Sequence, residues 1–243
     1  RPGRQGDIAV KNGKIAALGG RLPTSETKTI HDADGLWLTP GLLDIHTHED
    51  LEAELDPGLP EVVRHGTTSV IVGNCSIGLA FGAQRSERQD PIVDCFARVE
   101  NIPKSVLAKT ADKAVWTKPK EYLEHLDELP LSANMAPFLP HSMLRIEVMG
   151  LQDSISRQPT GTELRRMTGI LEEALEDGYM GMSTDGLPLH FLANEPNLDK
   201  RIPTQYASFA EYKALTDVLR KHERVWQMTP ATDDGVLTTR LFM

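Results

Sequence analysis

The chain has 243 residues, of which 40% are hydrophobic, and its 26 lysines and arginines against 35 aspartates and glutamates give a net charge of -9. This acidity argues against binding to nucleic acid or to anionic membranes, since both reward clustered lysine and arginine. There is no apolar run near the roughly 20 residues of a membrane helix, no visible secretory leader, and only two cysteines. We therefore expect a cytoplasmic globular protein with no disulfide framework.

Residues 1–39 predict a small β unit. In "DIAVKNGKIAALG", residues 7–19, apolar and polar residues alternate on both sides of Asn12-Gly13, a pair typical of a tight hairpin turn. A polar, turn-rich link then leads to a third strand, predicted around Leu36, Trp37 and Leu38. This unit precedes the main domain.

Residues 40–243 predict strands that alternate with helices. Five strand candidates contain "DIHTH", "VIVGN", "ANMAPFLP", "YMGMSTD" and "RVWQMTP". Thr160 with Glu163 and Ser208 with Glu211 mark the starts of two amphipathic helices. This order indicates βα units and a parallel sheet, and polar residues at the strand ends are typical of a (β/α) barrel mouth. The region between 80 and 130 fits no regular unit and predicts an irregular insertion.

His46 and His48 stand two residues apart after the apolar run "GLLDI". If this stretch is a strand, both imidazoles leave the same face and make half of a divalent-metal site, with Asp44 available to orient a ligand. If it is a loop, they are two polar residues that cap a strand. Cys75 ends the second strand candidate, so it could join them as a thiolate. An inert buried cysteine and a nucleophilic cysteine are the alternatives.

At this point the sequence resembles a known family. "TPGLLDIHTHEDLE" and "HGTTSVIVGNCSIGLA" resemble the N-terminal region of the amidohydrolase superfamily, in its D-aminoacylase (N-acyl-D-amino-acid deacylase) branch. The patterns are P-G-x-x-D-x-H-x-H and G-x-T-T-V-x-x-G-N-C-G, from which Ser69 and Ser76 depart. "HSMLRIEVMG" and "LEEALEDGYMGMST" resemble later segments, so the likeness covers most of the chain from residue 7 onward.

The resemblance implies a TIM-like amidohydrolase barrel, here its N-terminal part, with a small β-sandwich built partly from the N-terminal strands. It implies that His46, His48 and Cys75 bind zinc, as one or two divalent ions. The implied reaction is hydrolysis of the amide bond of N-acyl-D-amino acids, small-molecule substrates, by metal-activated water. The general-base aspartate of the family would lie beyond Met243.

One departure bears on the metal. The family has a histidine ligand on the fifth strand where this chain has Gln227, and an amide oxygen is a weak zinc ligand. This favours a first alternative, a metal-poor or non-catalytic homologue that binds a small ligand. A second alternative, an amidohydrolase acting on a cyclic amide, would use a carboxylated lysine, and the predicted strand ends offer none.

Three further residues are candidates for contact with substrate or for supporting the ligands: His141 after the third strand, and Asp185 and His190 after the fourth. For His141, a structural hydrogen bond is the equal alternative. A (β/α) barrel has eight strands, and five are predicted here. We therefore expect the remaining strands to come from further sequence or from another chain.

Overall fold

The computed structural model describes residues 3–85 and 90–242, and the side chains of residues 3–85 and 90–240. The chain divides into two compact units, Arg1–Pro40 and Gly41–Met243. None of the described helices is both long and apolar enough to span a membrane.

The first unit contains the predicted hairpin. Strand β1 (Asp7–Lys11) pairs antiparallel with β2 (Lys14–Gly19), and Asn12 and Gly13 take the positive φ angles, 53° and 70°, that the turn needs. The predicted third strand is wrong, because Leu36–Leu38 belongs to no strand and its central residue, Trp37, is 84% exposed. A short apolar run alone does not make a strand, because strand stability depends on packing against neighbouring strands.

The second unit is an α/β structure with parallel sheets, as predicted. Its strands are β3 (Leu42–Asp44), β4 (Thr67–Val72), β5 (Asn134–Pro137), β6 (Leu139–Pro140), β7 (Gly181–Asp185) and β8 (Val225–Thr229). They form two three-stranded parallel sheets, ordered β3-β4-β5 and β6-β7-β8. The third predicted strand is divided at Phe138, whose N–H donates to the Val72 carbonyl at 2.9 Å.

Ten helices are described in this unit. They are α1 (Glu49–Leu55), α2 (Pro60–Arg64), α3 (Pro91–Val99), α4 (Lys104–Ala111), α5 (Pro119–Glu128), α6 (His141–Met149), α7 (Leu151–Ser154), α8 (Gly161–Asp177), α9 (Phe209–Lys221) and α10 (Gly235–Phe242). The main core includes buried side chains of β6, β7, α3, α5, α6, α8 and α9. It therefore packs helices against the sheet, as an α/β fold requires.

The expected irregularity between residues 80 and 130 is wrong for most of that region, where α3, α4 and α5 lie. Each of these helices has ten residues or fewer. A short helix shows too few turns for its apolar period to stand out in sequence. Local signals were nevertheless present, since Pro91 and Pro119 begin two of the helices and the Asp90 carboxylate accepts from the Val93 N–H at 3.2 Å.

Helix α8 begins with the capping box that the sequence predicted. The Thr160 hydroxyl oxygen accepts from the Glu163 N–H at 3.2 Å, and the Glu163 carboxylate accepts from the Thr160 N–H at 2.7 Å. Thr160→Ala should lower the free energy of unfolding by about 1 kcal/mol, because it leaves a helical N–H without its acceptor. Urea unfolding measures this effect. The control is Thr168→Ala in the middle of α8, and an equal loss in both variants would contradict the capping role.

Candidate metal centre

The segment after β3 turns sharply and carries both histidines. The Asp44 carboxylate accepts from the His46 N–H at 3.2 Å. Between the histidines, the Thr47 N–H and hydroxyl both donate to the Ile71 carbonyl, at 3.1 and 3.0 Å, which ties the segment to the end of β4. The His46 and His48 rings lie with centroids 6.0 Å apart at 72°. The backbone is a bend here and not a strand, yet the two imidazoles are close together.

Cys75 lies on a tight loop that follows β4. Gly73, Cys75 and Ser76 have φ angles of 71°, 51° and 61°, a left-handed backbone that residues other than glycine seldom adopt. Such strain persists only where the surroundings hold it, and it is concentrated at functional sites. Here the Asn74 amide donates to the carbonyls of Ile71 at 2.8 Å and Thr47 at 3.2 Å. The cysteine loop is therefore fastened to the histidine segment.

These two segments bring three metal-binding side chains together. One donor atom from each of His46, His48 and Cys75 lies within 4.8 Å of the others, and His46 Nε2 is 3.2 Å from Cys75 Sγ. Two imidazoles and a thiol form a donor set that suits zinc. Cys75 forms no disulfide, since both it and Cys95 are free and buried.

Burial sets the protonation of two of these groups. It lowers the pKa of His48 to about 4, helped by repulsion from His46 and His190, so the imidazole is neutral and able to bind a metal at neutral pH. It also raises the pKa of the Cys75 thiol to about 12, as do the charges of Asp185 and Glu100. A bound cation would reverse this effect and stabilise the thiolate.

Glu100 is a member of the site that the sequence interpretation missed. It follows α3, and its Oε1 lies 3.1 Å from His48 Nε2. Burial raises the pKa of its carboxyl group, opposed by His190 and aided by Asp185. A glutamate that follows a helix is ordinary in sequence, and only the packing of α3 brings this one to the histidines.

Gln227 lies beside the cysteine loop, and its oxygen is engaged by the backbone of that loop. It is in β8 beside Ser183 of β7, and its Oε1 accepts from the Cys75 N–H at 3.4 Å. The amide thus supports the loop that carries the thiol.

Asp185 and His190 form a polar pair next to this site. Asp185 ends β7, and its Oδ2 lies 2.9 Å from His190 Nδ1 and accepts from the Gln205 amide at 3.0 Å. Its other oxygen accepts from the Thr229 hydroxyl. His190 is near enough to His48 for charge repulsion to lower the pKa of His48. These contacts place Asp185 and His190, the candidates that follow the fourth predicted strand, close to His48.

His141 has a structural environment. It is fully buried, with Nδ1 2.8 Å from the Thr204 hydroxyl and Nε2 2.9 Å from Glu211 Oε1. Both ring nitrogens are engaged, which leaves neither for a ligand. His141 therefore has the structural hydrogen-bonding role that was the alternative for it, and the expectation that it contacts substrate is wrong.

A second group of potential ligands lies on the surface, where Glu172 and Glu176 of α8 meet His222. His222 Nε2 is 3.1 Å from Glu172 Oε1, and the Lys221 ammonium pairs with the same carboxylate. A cation of the chain itself thus already pairs with the Glu172 carboxylate.

The cysteine loop should be sensitive to a methyl group at Gly73. A Cβ there would lie 2.5 Å from the Phe138 carbonyl oxygen, and the φ of 71° disfavours any side chain. Gly73→Ala should lower the free energy of unfolding by about 1–3 kcal/mol. Urea unfolding tests this. The control is Gly169→Ala within α8, where the same methyl meets nothing within 4 Å, and equal losses in the two variants would contradict the packing argument.

Comparison with known proteins places this geometry in a family context. No protein-family model matches the chain. An uncharacterized protein of Mycobacterium tuberculosis is 36% identical over 240 residues, covering 97% of this chain and 38% of the relative. An N-acyl-D-aspartate deacylase of Alcaligenes xylosoxydans xylosoxydans is 37% identical over 183 residues, covering 75% of this chain and 33% of the enzyme. The chain thus spans less than two-fifths of the length of these relatives.

Solved structures agree with the sequence matches. A D-aminoacylase with a binuclear metal center superimposes with a TM-score of 0.75 at 26% identity, covering all of this chain and 44% of the other. An N-acyl-D-glutamate deacylase from Bordetella bronchiseptica, complexed with zinc and a phosphonate inhibitor that mimics the tetrahedral intermediate, gives 0.74 at 27% identity, covering all of this chain and 45% of that one. By sequence and by structure, the chain belongs to the D-aminoacylase branch of the amidohydrolase superfamily.

Proposed function

We propose that the protein containing this chain hydrolyses the amide bond of N-acyl-D-amino acids at a zinc centre held by His46, His48 and Cys75. The observation that carries the proposal is the meeting of these three donors within 4.8 Å of one another. The deacylases among the relatives and the zinc-bound structural neighbour support the reaction and the metal.

Zinc bound here would supply an activated water and polarise the scissile carbonyl. The residues of the chain hold and orient the donors. Asp44 fixes the backbone at His46, and Asn74 and Gln227 hold the loop that presents the Cys75 thiol. The pair of Asp185 and His190 offers polar contacts for substrate beside the same strand ends.

A cavity next to His48 gives room for an apolar part of the substrate. It measures about 370 Å³ and lies between α1 and α4. Aliphatic side chains form most of its wall: Leu51, Leu55, Ile102, Val106 and Leu107. We propose that it receives the acyl group, since an aliphatic chain loses contact with water there.

We also propose that the second unit is the N-terminal part of a TIM-like barrel, that the hairpin belongs to a small β-sandwich, and that the remaining strands come from sequence beyond Met243 or from another chain. The β3 edge supports this arrangement, because β3 is the outermost strand of its sheet and its Leu42 and Leu43 are each 58% exposed. An open apolar edge of this kind promotes further pairing. The length of the relatives is in agreement.

The test uses the full-length protein. Purified enzyme is assayed against matched N-acetyl-D- and N-acetyl-L-amino acids for release of the free amino acid, before and after removal of metal by a chelator and on return of zinc. We expect hydrolysis of the D series that disappears with the metal and returns with it. Hydrolysis that survives complete metal removal, or none of either series by zinc-loaded protein, would contradict the proposal.

A homologue that binds a small ligand without turnover is the second candidate. Gln227 favours it, because the amide stands where the family has an imidazole and its oxygen is engaged with the Cys75 N–H. In that case, metal-loaded protein would bind an N-acyl-D-amino acid in calorimetry and release no product. The cyclic-amide alternative has weaker support, since no lysine ends strands β3–β8.

A further inference from the structure

Two acidic side chains line the cavity that we assign to the acyl group. Glu49 and Glu52 belong to α1 and stand three positions apart, so they share one face of the helix. Both are half-buried, and their carboxyl groups are close enough to repel each other. Apolar side chains, among them Leu51 of the same helix and Leu107 of α4, form most of the remaining wall. The cavity is therefore an apolar space with two carboxylates on its α1 side.

The lining of this cavity offers no cation to balance the two carboxylates. Among the described residues that form it, none is a lysine or an arginine. His48 also contributes to the wall, but burial lowers its pKa to about 4, so the imidazole is neutral at neutral pH. Charges that are partly buried are screened less by water and salt than charges on the surface. An anion that entered the cavity would thus meet like charges and no partner.

This electrostatic arrangement bears on how the proposed substrate is oriented. An N-acyl-D-amino acid carries a carboxylate on its α-carbon, whereas a simple acyl group is uncharged. Glu49 and Glu52 repel the carboxylate end, and the aliphatic wall favours the acyl end because apolar surface is removed from water there. Repulsion and burial therefore direct the same end of the molecule into the cavity.

We propose that Glu49 and Glu52 limit the protein to substrates whose acyl group is uncharged, and that they exclude acyl groups that end in a carboxylate. This inference rests on the proposed function, which places the acyl group in the cavity. Specific sites commonly reject the wrong ligand by setting like charges against it. The two glutamates act here on the choice of substrate and take no part in breaking the amide bond.

The experiment uses the zinc-loaded full-length protein at pH 8 and four acyl groups on one D-amino acid: acetyl, valeryl, succinyl and succinamoyl. The last two differ only in a terminal carboxylate or amide, so they separate charge from size. We expect kcat/KM for the N-valeryl substrate to exceed that for the N-acetyl substrate by at least about 4-fold, the effect of one buried CH₂ group. We expect the N-succinyl substrate to fall at least about 10-fold below the N-succinamoyl substrate, because like charges at close range oppose binding.

The test variant combines Glu49→Gln with Glu52→Gln, which keeps the side-chain sizes and removes both charges. The gap between the succinyl and succinamoyl substrates should narrow to within about 3-fold. This gap is a ratio within one protein, so a difference in zinc loading between variants cancels. The control combines Glu124→Gln with Glu128→Gln, two exposed glutamates of α5 outside the cavity lining. It removes the same amount of charge and should keep the wild-type gap.

The outcomes separate this inference from the proposed function. Wild type that cleaves the succinyl and succinamoyl substrates equally well, or a gap that persists in the Glu49 and Glu52 double variant, would overturn the role of the two glutamates and leave the hydrolysis standing. Equal kcat/KM for acetyl and valeryl would overturn it too, because the cavity would not be the acyl site. Should the protein hydrolyse none of the four, the proposed function fails, and calorimetry with the succinyl and succinamoyl compounds as ligands decides the charge effect from their Kd values.

Discussion

Replacing His46 and His48 together with alanine should abolish stoichiometric zinc binding by the full-length protein and leave its fold intact. The two imidazoles are the nitrogen donors of the proposed centre, and a single thiol with weaker neighbours cannot hold the ion. The fold should survive because His46 is exposed and His48 is only partly buried. Elemental analysis after dialysis gives the zinc content, and circular dichroism reports the fold. Hydrolysis of N-acyl-D-amino acids should fall at least about 1,000-fold if metal-bound water is the nucleophile.

The matched control is the double replacement of His31 and His65, both exposed. It also removes two histidines, but neither belongs to the proposed centre. It should therefore leave the zinc content at the wild-type value. A folded His46 and His48 double variant that retains one zinc per chain would contradict the proposed centre.

The meeting of His46, His48 and Cys75 was predictable because it depends on topology. Each residue follows the carboxyl end of a strand, and neighbouring parallel strands place those ends together. The apolar residues of β4 and the spacing of His46 and His48 can be recognised in the sequence without knowledge of the packing. Gln227 was singled out by its match to the family's histidine position, and its bond to the Cys75 N–H was not foreseen.

Glu100 and His141 show what local signals leave out. Glu100 reaches His48 because a short helix packs against the site, and its approach depends on the side chains that bury α3. His141 also follows a strand, but its neighbours Thr204 and Glu211 come from residues more than 60 positions away in the chain. A position after a strand therefore indicated a residue of the candidate metal centre for His46 and His48, and a buried structural residue for His141.

Glu211→Gln should be the most destabilising of the single replacements considered for this chain. The Glu211 carboxylate pairs with the Arg145 guanidinium and accepts from His141, and the side chains of the ion pair are 1% and 0% exposed. Arg145 Nη2 also donates to the Ser154 carbonyl at 2.9 Å, so the guanidinium cannot leave the interior easily. The glutamine variant leaves this charge buried without its anion. A loss of about 3–5 kcal/mol in the free energy of unfolding is expected.

Urea unfolding at pH 7 measures this loss. The control is Asp217→Asn, which breaks the exposed pair with Lys213 on the same helix, α9, and should leave the unfolding free energy essentially unchanged. Equal losses of unfolding free energy in the two variants would contradict the argument that burial makes the Glu211 pair more important for stability than an exposed pair.

The same pair should give the protein a defined sensitivity to acid. Burial alone would raise the pKa of Glu211, but the hydrogen bond from His141 and the charge of Arg145 outweigh it and hold the pKa below the ordinary 4.5. The unfolded chain therefore takes up this proton first, so the stability that Glu211 contributes is complete above pH 4.5 and is lost as the pH falls through the lower folded value. Burial lowers the pKa of His141 below 6.5, which makes stability decline with acid from that pH downward. The difference in unfolding free energy between wild type and Glu211→Gln should hence be largest near neutral pH and shrink below pH 4.5, where a protonated glutamate resembles glutamine. A difference that stays constant from pH 7 to pH 3 would mean that the carboxylate charge does not stabilise the fold.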